Sequence, residues 1–422
     1  MSGCADAQRA GRVVNGVLAI TGARIVDPAN GRDSPGDVLI EGRVVAAVDP
    51  PAIPGGANRI DGRGLVLAPG LIDALAFRTD PAAARAGGIT RLVLAPDQAP
   101  PLDDPALVER AERIGKPHVW VHPLAAATRG LAGEELAELG LMRSAGAVGA
   151  ATGRRAIPSA LVMRRLCDYA AGLGLPVVTH AEDPTLMAAA TEGELATRLG
   201  LPASPPWAEA LAIARDLRIA DACGVHLHIG QVTTAEGVRL IREAKARGQR
   251  ITAGASPNHL FQSEVAVSRW RTFARLSPPL RCEVDRRAVV AGVMDGTIDV
   301  LVSAHDPRSQ DEKRRPFTDA EPGAVAQPFL LALALGLERE GMALSRVIAA
   351  LTVNPARIFG LPGARIAARE DADLVLFDSV AAWRIDSDRL PGIAGNTPFD
   401  GLPVQGRVVA VVKGGELWRA ES

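Results

Sequence analysis

The stretch LAPGLIDALAFRTD, residues 67–80, has the grammar of a strand that ends at a functional edge. An apolar run meets a Pro-Gly turn, resumes as Leu-Ile-Asp-Ala-Leu-Ala-Phe, and stops at the polar Arg78, Thr79 and Asp80. The same style repeats down the chain. Candidate strands are LIDALAF (71–77), ITRLVLAP (89–96), HVWVHPL (118–124), AGAVGAA (145–151), PVVTHAE (176–182), VHLHIGQV (225–232), RITAGAS (250–256) and IDVLVSAHD (298–306). Amphipathic stretches lie between them, such as SALVMRRLCDYAAGLG (159–174), TAEGVRLIREAKARG (234–248) and VDRRAVVAGVMDG (284–296). Each of these three ends in Gly, as helix C-termini often do. Eight apolar strands alternating with helices predict an α/β fold, a (β/α)8 TIM barrel.

The flanks read differently. VLAITGARIVDP (17–28), DVLIEGRVVAAVDP (37–50), DADLVLFD (371–378) and GRVVAVVKGGELW (406–418) are short β runs with Gly, Asn and Asp turns. They predict one small discontinuous β-sandwich domain from both termini, residues 12–65 plus 365–422. The barrel then spans residues 66–364, and residues 1–11 are expected to be a disordered tail.

Bulk properties narrow the function classes. Of 422 residues, 47% are apolar, enough for a large core, and 47 basic residues balance 48 acidic ones. A net charge of −1 gives no reason to expect a nucleic-acid or anionic-membrane partner. Four scattered cysteines, with no C-x-x-C pair, fit neither a zinc knuckle nor a disulfide scaffold, and cytoplasmic localisation is expected. The N-terminus lacks a secretory pattern, and no apolar run approaches the ~20 residues needed to span a bilayer. No G-x-S-x-G elbow and no cysteine beside a strand-end histidine supports a nucleophile mechanism.

Barrels of this kind place their chemistry at the C-terminal strand ends. Here those ends read DALAFRTD, LAPDQ, VHPL, GAATG, THAED, HIGQVTT, GASPNH and SAHDPR. At these ends the sequence resembles the type I dihydroorotase family of the amidohydrolase superfamily. APGLID (68–73), VVTHAED (177–183), LSPPLR (276–281), DGTIDVLVSAHDP (295–307), LTVNPARIFGL (351–361) and NTPFDGLPVQGRVV (396–409) carry the likeness in order and spacing.

The resemblance implies zinc held by an H-x-H on strand one, a carboxylate after strand four, histidines after strands five and six, and an Asp after strand eight that also serves as general base. A metal is what lets water ionise near neutral pH and polarises the scissile amide. Matched position by position, the two strand-one histidines fall on Leu75 and Phe77, and the carboxylate falls within GAATG at Ala151 and Thr152. The strand-six histidine falls on Gln231 and the aspartate on Ala304, so His180 is the only retained ligand position. One imidazole does not hold zinc tightly. The family arginine that reads the substrate carboxylate falls on Thr79, with Arg78 one position away and, if strand geometry persists, facing the other side. The asparagines fall on Asp97 and Ser277, and the last histidine falls on Arg308, which can still pair with an anion. Arg78, Asp97, Ser277, His305 and Arg308 therefore form a vestigial substrate pocket.

Each feature also has a plainer reading. Leu75 and Phe77 suit ordinary barrel filling. His180 suits a hydrogen-bonded polar role, and Glu182 and Asp183 suit capping of the next turn. His226 and His228 share a strand face and with His180 offer a relocated metal site, as do His118 and His122 on a smaller scale. Asp306 follows His305, but strand alternation argues against its replacing the lost base.

The resemblance implies a catalytically inactive dihydroorotase-like protein of pyrimidine biosynthesis, without a cofactor, acting as structural or regulatory partner of the aspartate transcarbamoylase catalytic chain and forming homo-oligomers. The alternative is an active cyclic amidohydrolase of dihydroorotase, hydantoinase or allantoinase type with zinc in an atypical site. A third reading is a small-molecule sensor with Arg308 at an emptied barrel mouth.

Overall fold

The computed structural model describes residues 12–13 and 16–420. The expected tail at 1–11 lies outside the described residues. Eight parallel strands run in sequence order: Leu71–Ala76, Ile89–Leu94, Trp120–Pro123 continuing into Ala125–Ala126, Ala150–Ala151, Val177–Thr179, Leu227–Ile229, Ile251–Ala255 and Val300–Leu301. The ring closes between the last strand and the first: Ala304 N–H donates to the Leu75 carbonyl at 3.0 Å, and Phe77 N–H donates to the His305 carbonyl at 2.9 Å.

Each strand is followed by a helix, and the helices start and stop where their sequences dictate. Ser159 caps Ala160–Leu173, its hydroxyl accepting from Val162 N–H, and Gly174 ends it at φ +67°, a left-handed value that costs glycine little. Thr234 caps Ala235–Ala246 in the same way. Inside the ring, Leu75, Phe77, Val93, Leu124, Ala151, Val178, Val300 and Val302 fill the barrel, with Ile358 and Phe359 packed against them. This is the packed interior expected of such a barrel.

The termini meet in one nine-stranded sheet. Its order is Arg12–Val13, Glu416–Arg419, Pro403–Lys413, Leu374–Arg384, Val66–Pro69, Val17–Asp27, Arg32–Glu41 and Val44–Val48, with Asn58–Asp61 added on Val17–Asp27. Residues from both halves of this sheet, among them Ile20, Ile40, Val45, Leu374 and Val412, share one apolar cluster.

Val66–Pro69, which the sequence reading placed in the barrel span 66–364, pairs instead with Leu374–Phe377 in the terminal sheet. The barrel begins at Leu71. Gly70 makes the crossing: a Cβ there would lie 2.3 Å from Thr90 Oγ1, so only glycine lets the chain pass so close to the second barrel strand. Asp373 stitches the two parts together. Its carboxylate accepts from Arg91 Nη2 at 2.7 Å, from Trp120 Nε1 at 3.0 Å and from Gly414 N–H at 2.8 Å. Lys413 Nζ stacks 3.4 Å from the centroid of Trp120.

Candidate functional site

The C-terminal ends of the barrel strands gather most of the residues singled out from the sequence. The end of the first strand sends Leu75 and Phe77 inward, both buried, and Leu75 fills the space beside Gly230, just past the sixth strand. Neither offers a lone pair. Above Phe77 lies the guanidinium of Arg154, 3.6 Å from the ring centroid. Arg154 follows Gly153, which takes φ +78° where a Cβ would stand 3.1 Å from Asp97 Oδ1. That carboxylate accepts the Arg154 N–H at 2.9 Å.

Arg154 Nη2 reaches Asp306 Oδ2 at 2.5 Å. Arg308 Nη2 reaches the same oxygen at 2.7 Å, and Arg78 Nε stands 4.0 Å from Oδ1. Asp306 is only 1% exposed. The condition for strand alternation at Arg78 and Asp306, continued extended geometry, does not hold here. The first strand ends at Ala76 and the eighth at Leu301, and Ala304 adopts φ +50°, so extended geometry no longer governs where Arg78 and Asp306 point.

His180, at the end of the fifth strand, lies with Nε2 2.7 Å from Glu182 Oε2, and its N–H donates to Thr152 Oγ1 at 3.2 Å. Ser277 donates its hydroxyl to the same Glu182 oxygen at 2.6 Å. Burial pushes the Glu182 carboxyl up, but the His180 hydrogen bond and charge, Ser277 and nearby Arg281 outweigh it and hold it below its ordinary value. Asp183 does cap the following turn, accepting from Thr185, whereas Glu182 does not. A His-x-Glu spacing was the signal for this pair.

The remaining assignments separate. Gln231 is buried at the end of the sixth strand with its amide nitrogen unpartnered. His305 is fully buried behind the barrel wall rather than in the pocket. Its Nδ1 accepts from the N–H groups of Ala326 and Gln327 at 3.3 and 3.4 Å, and its Nε2 is 3.6 Å from Asp80 Oδ2. His226 Nε2 and His228 Nδ1 both lie 2.9 Å from Thr252 Oγ1, and His228 packs edge-on against Phe359. Burial pushes His228 down to about 3 and His122 to about 3, so both stay neutral. His118 Nδ1 contacts Arg85 instead.

Among the described residues, no three His, Cys, Asp or Glu side chains come together as a metal-ligand group, so the relocated histidine sites do not form. The donor set at the mouth does not fit a zinc ion: His180 already faces Glu182, and Leu75, Phe77 and Ala304 present only hydrocarbon. Two residues carry the mouth that sequence reasoning missed. Arg154 gave no signal beyond following GAATG. Lys313 is buried and donates to the carbonyls of Thr272, Arg275 and Glu321, tying the loop after strand seven to the loop after strand eight. Burial pushes its ammonium down to about 7.

A closed (β/α)8 barrel, a sheet built from both termini and polar groups at the C-terminal strand ends define an amidohydrolase-type architecture. The amidohydrolase family model matches residues 82–418. Dihydroorotases from Syntrophotalea carbinolica and Anaeromyxobacter sp. strain K are each 36% identical, over 95% and 96% of this chain and 98% of their own lengths. Among solved structures, the L-hydantoinase (dihydropyrimidinase) of Arthrobacter aurescens superposes with a TM-score of 0.84 at 22% identity, covering 95% of each chain. The dihydropyrimidinase of Brevibacillus agri gives 0.82 at 22% identity, covering 95% of this chain and 94% of its own. The chain belongs to the amidohydrolase family, in its dihydroorotase group.

Proposed function

We propose that this chain is a dihydroorotase-like protein of pyrimidine biosynthesis that has given up hydrolysis and serves as a structural or regulatory partner of the aspartate transcarbamoylase catalytic chain. One observation carries the loss of hydrolysis. Where hydrolysis needs a cation-bound water, the mouth holds Phe77 under Arg154, with Arg154 locked to Asp306. The acid–base groups nearest Phe77 are engaged: Asp306 pairs through Oδ2 with Arg154 and Arg308, and His180 faces Glu182. The partnership rests on the family resemblance alone. The test is co-expression with the cognate transcarbamoylase, measuring complex mass, carbamoyl transfer and dihydroorotate hydrolysis for each chain alone and both together. A stable complex with no hydrolysis from this chain is expected. Separate elution at micromolar concentrations sinks the partnership.

A second reading, an active metal-dependent cyclic amidohydrolase, is favoured by the near-complete span of likeness to proteins named dihydroorotase. Stoichiometric zinc uptake with turnover of dihydroorotate or a hydantoin by the purified chain would establish it.

A further inference from the structure

Three guanidinium groups from three different strand ends converge on one carboxylate. Arg154 and Arg308 reach Asp306 Oδ2 at 2.5 and 2.7 Å, and Arg78 stands 4.0 Å from Oδ1. Converging guanidiniums are how proteins seize the carboxylate or phosphate of a bound molecule. Here the carboxylate belongs to the chain.

The two close arginines are positioned by groups other than that carboxylate. Arg154 rests on the Phe77 ring, and its N–H is tied to Asp97. The N–H of Arg308 donates to Asn396 Oδ1 at 2.8 Å, and its Nε donates to the Pro322 carbonyl at 2.9 Å. Space for the carboxylate is also built in. Gly323 takes φ +140°, and a Cβ there would stand 2.5 Å from Asp306 Oδ2. The chain's own carboxylate is held through one oxygen, because both close guanidiniums meet Oδ2 and Asp306 Oδ1 is buried without a hydrogen-bond donor.

We propose that Arg78, Arg154 and Arg308 form an anion-binding site at the barrel mouth whose ligand is intramolecular, the Asp306 carboxylate, and that a small free carboxylate fills the same place once that side chain is removed. The local charge supports a monoanion. Asp306 is the carboxylate that Arg154 and Arg308 both pair with, and Glu312 stands 3.5 Å from Arg308 Nη1, so removing Asp306 takes one negative charge from among these guanidiniums. The site is independent of whether the chain hydrolyses anything. In the unaltered protein, an external carboxylate must displace Asp306 to enter.

The test compares Asp306→Ala with the unaltered chain in sodium acetate and in sodium chloride at equal ionic strength and pH 7. Acetate, and not chloride, is expected to raise the unfolding midpoint of Asp306→Ala saturably. Calorimetric titration should give acetate at least tenfold tighter binding to Asp306→Ala than to the unaltered chain. Adding Arg154→Gln to Asp306→Ala should abolish the response. If Asp306→Ala does not fold in chloride, its refolding yield in acetate is the readout, and recovery is expected. An equal acetate response in both chains, no response in Asp306→Ala, or no recovery on refolding overturns the proposal.

Discussion

Phe77 and Arg154 show how one residue redirects another. A histidine at position 77 would offer a ligand, whereas phenylalanine offers a π face, and the guanidinium of Arg154 stacks on it. Removing that guanidinium uncovers the ring and takes one of the two close donors from a buried carboxylate. Arg154→Ala should therefore destabilise the fold by roughly 2 kcal/mol in urea unfolding, and Arg154→Lys should recover only part, since it neither stacks flat nor forks. Glu182 makes a prediction about acid. Its folded pKa lies below its ordinary value of 4.5, so its contribution is complete above that value and is lost as pH falls through the folded pKa. Glu182→Gln should lower stability at pH 7 and flatten the acid limb of the stability profile, measured by denaturant midpoints from pH 7 to 3. At this scale the sequence was legible where identity alone decides, as at Leu75, Phe77 and Ala304. It was illegible where direction decides. The inward turn of Arg78 and Asp306 depends on strands that stop early and on a left-handed Ala304, and neither is written in periodicity.

Among elements, the barrel strands were readable because parallel strands buried on both faces leave near-continuous apolar runs. The same property hid the boundary at Gly70. Val66–Pro69 and Leu71–Ala76 are both fully buried and differ in composition by nothing a pattern detects, yet one belongs to the terminal sheet and the other to the barrel. What separates them is a contact across sequence, Val66–Pro69 against Leu374–Phe377. The joint beside it can be tested. Asp373 is 1% exposed and satisfies Arg91 and Trp120 at once. Asp373→Ala leaves the Arg91 guanidinium buried without its close partner and should cost about 3–5 kcal/mol, read from chemical denaturation.

For the whole molecule, neutral buried imidazoles are one source of the response to pH, opposed in part by Asp216, whose carboxyl burial pushes up to about 6. Burial pushes His122 and His228 down to about 3 and His259 to about 4, against an ordinary 6.5. Below 6.5 the unfolded chain takes up protons that the folded chain refuses, so stability falls as pH drops towards 4. Each such histidine contributes up to ~1.4 kcal/mol per pH unit. Guanidinium midpoints across that window should show the decline, and His228→Gln should make it shallower. Zinc gives a second global readout. A ligand at a hundredfold excess over its Kd would add about 2.7 kcal/mol, and no saturable rise in the unfolding midpoint is expected on adding zinc.

The pairing of Val66–Pro69 with Leu374–Phe377 also bears on how the protein is made. A ribosome adding about 5–20 residues per second needs roughly 15–60 s to travel from one partner to the other. Throughout that interval one edge of the early sheet has backbone donors and acceptors and no neighbour. Such an edge is a template for another nascent chain. The barrel can close while this happens, because its strands pair in sequence order, but the sheet cannot. Chains stalled or cut after the last barrel strand and its closing contacts but before Leu374 should therefore aggregate through the open edge of the sheet, with their barrels already formed.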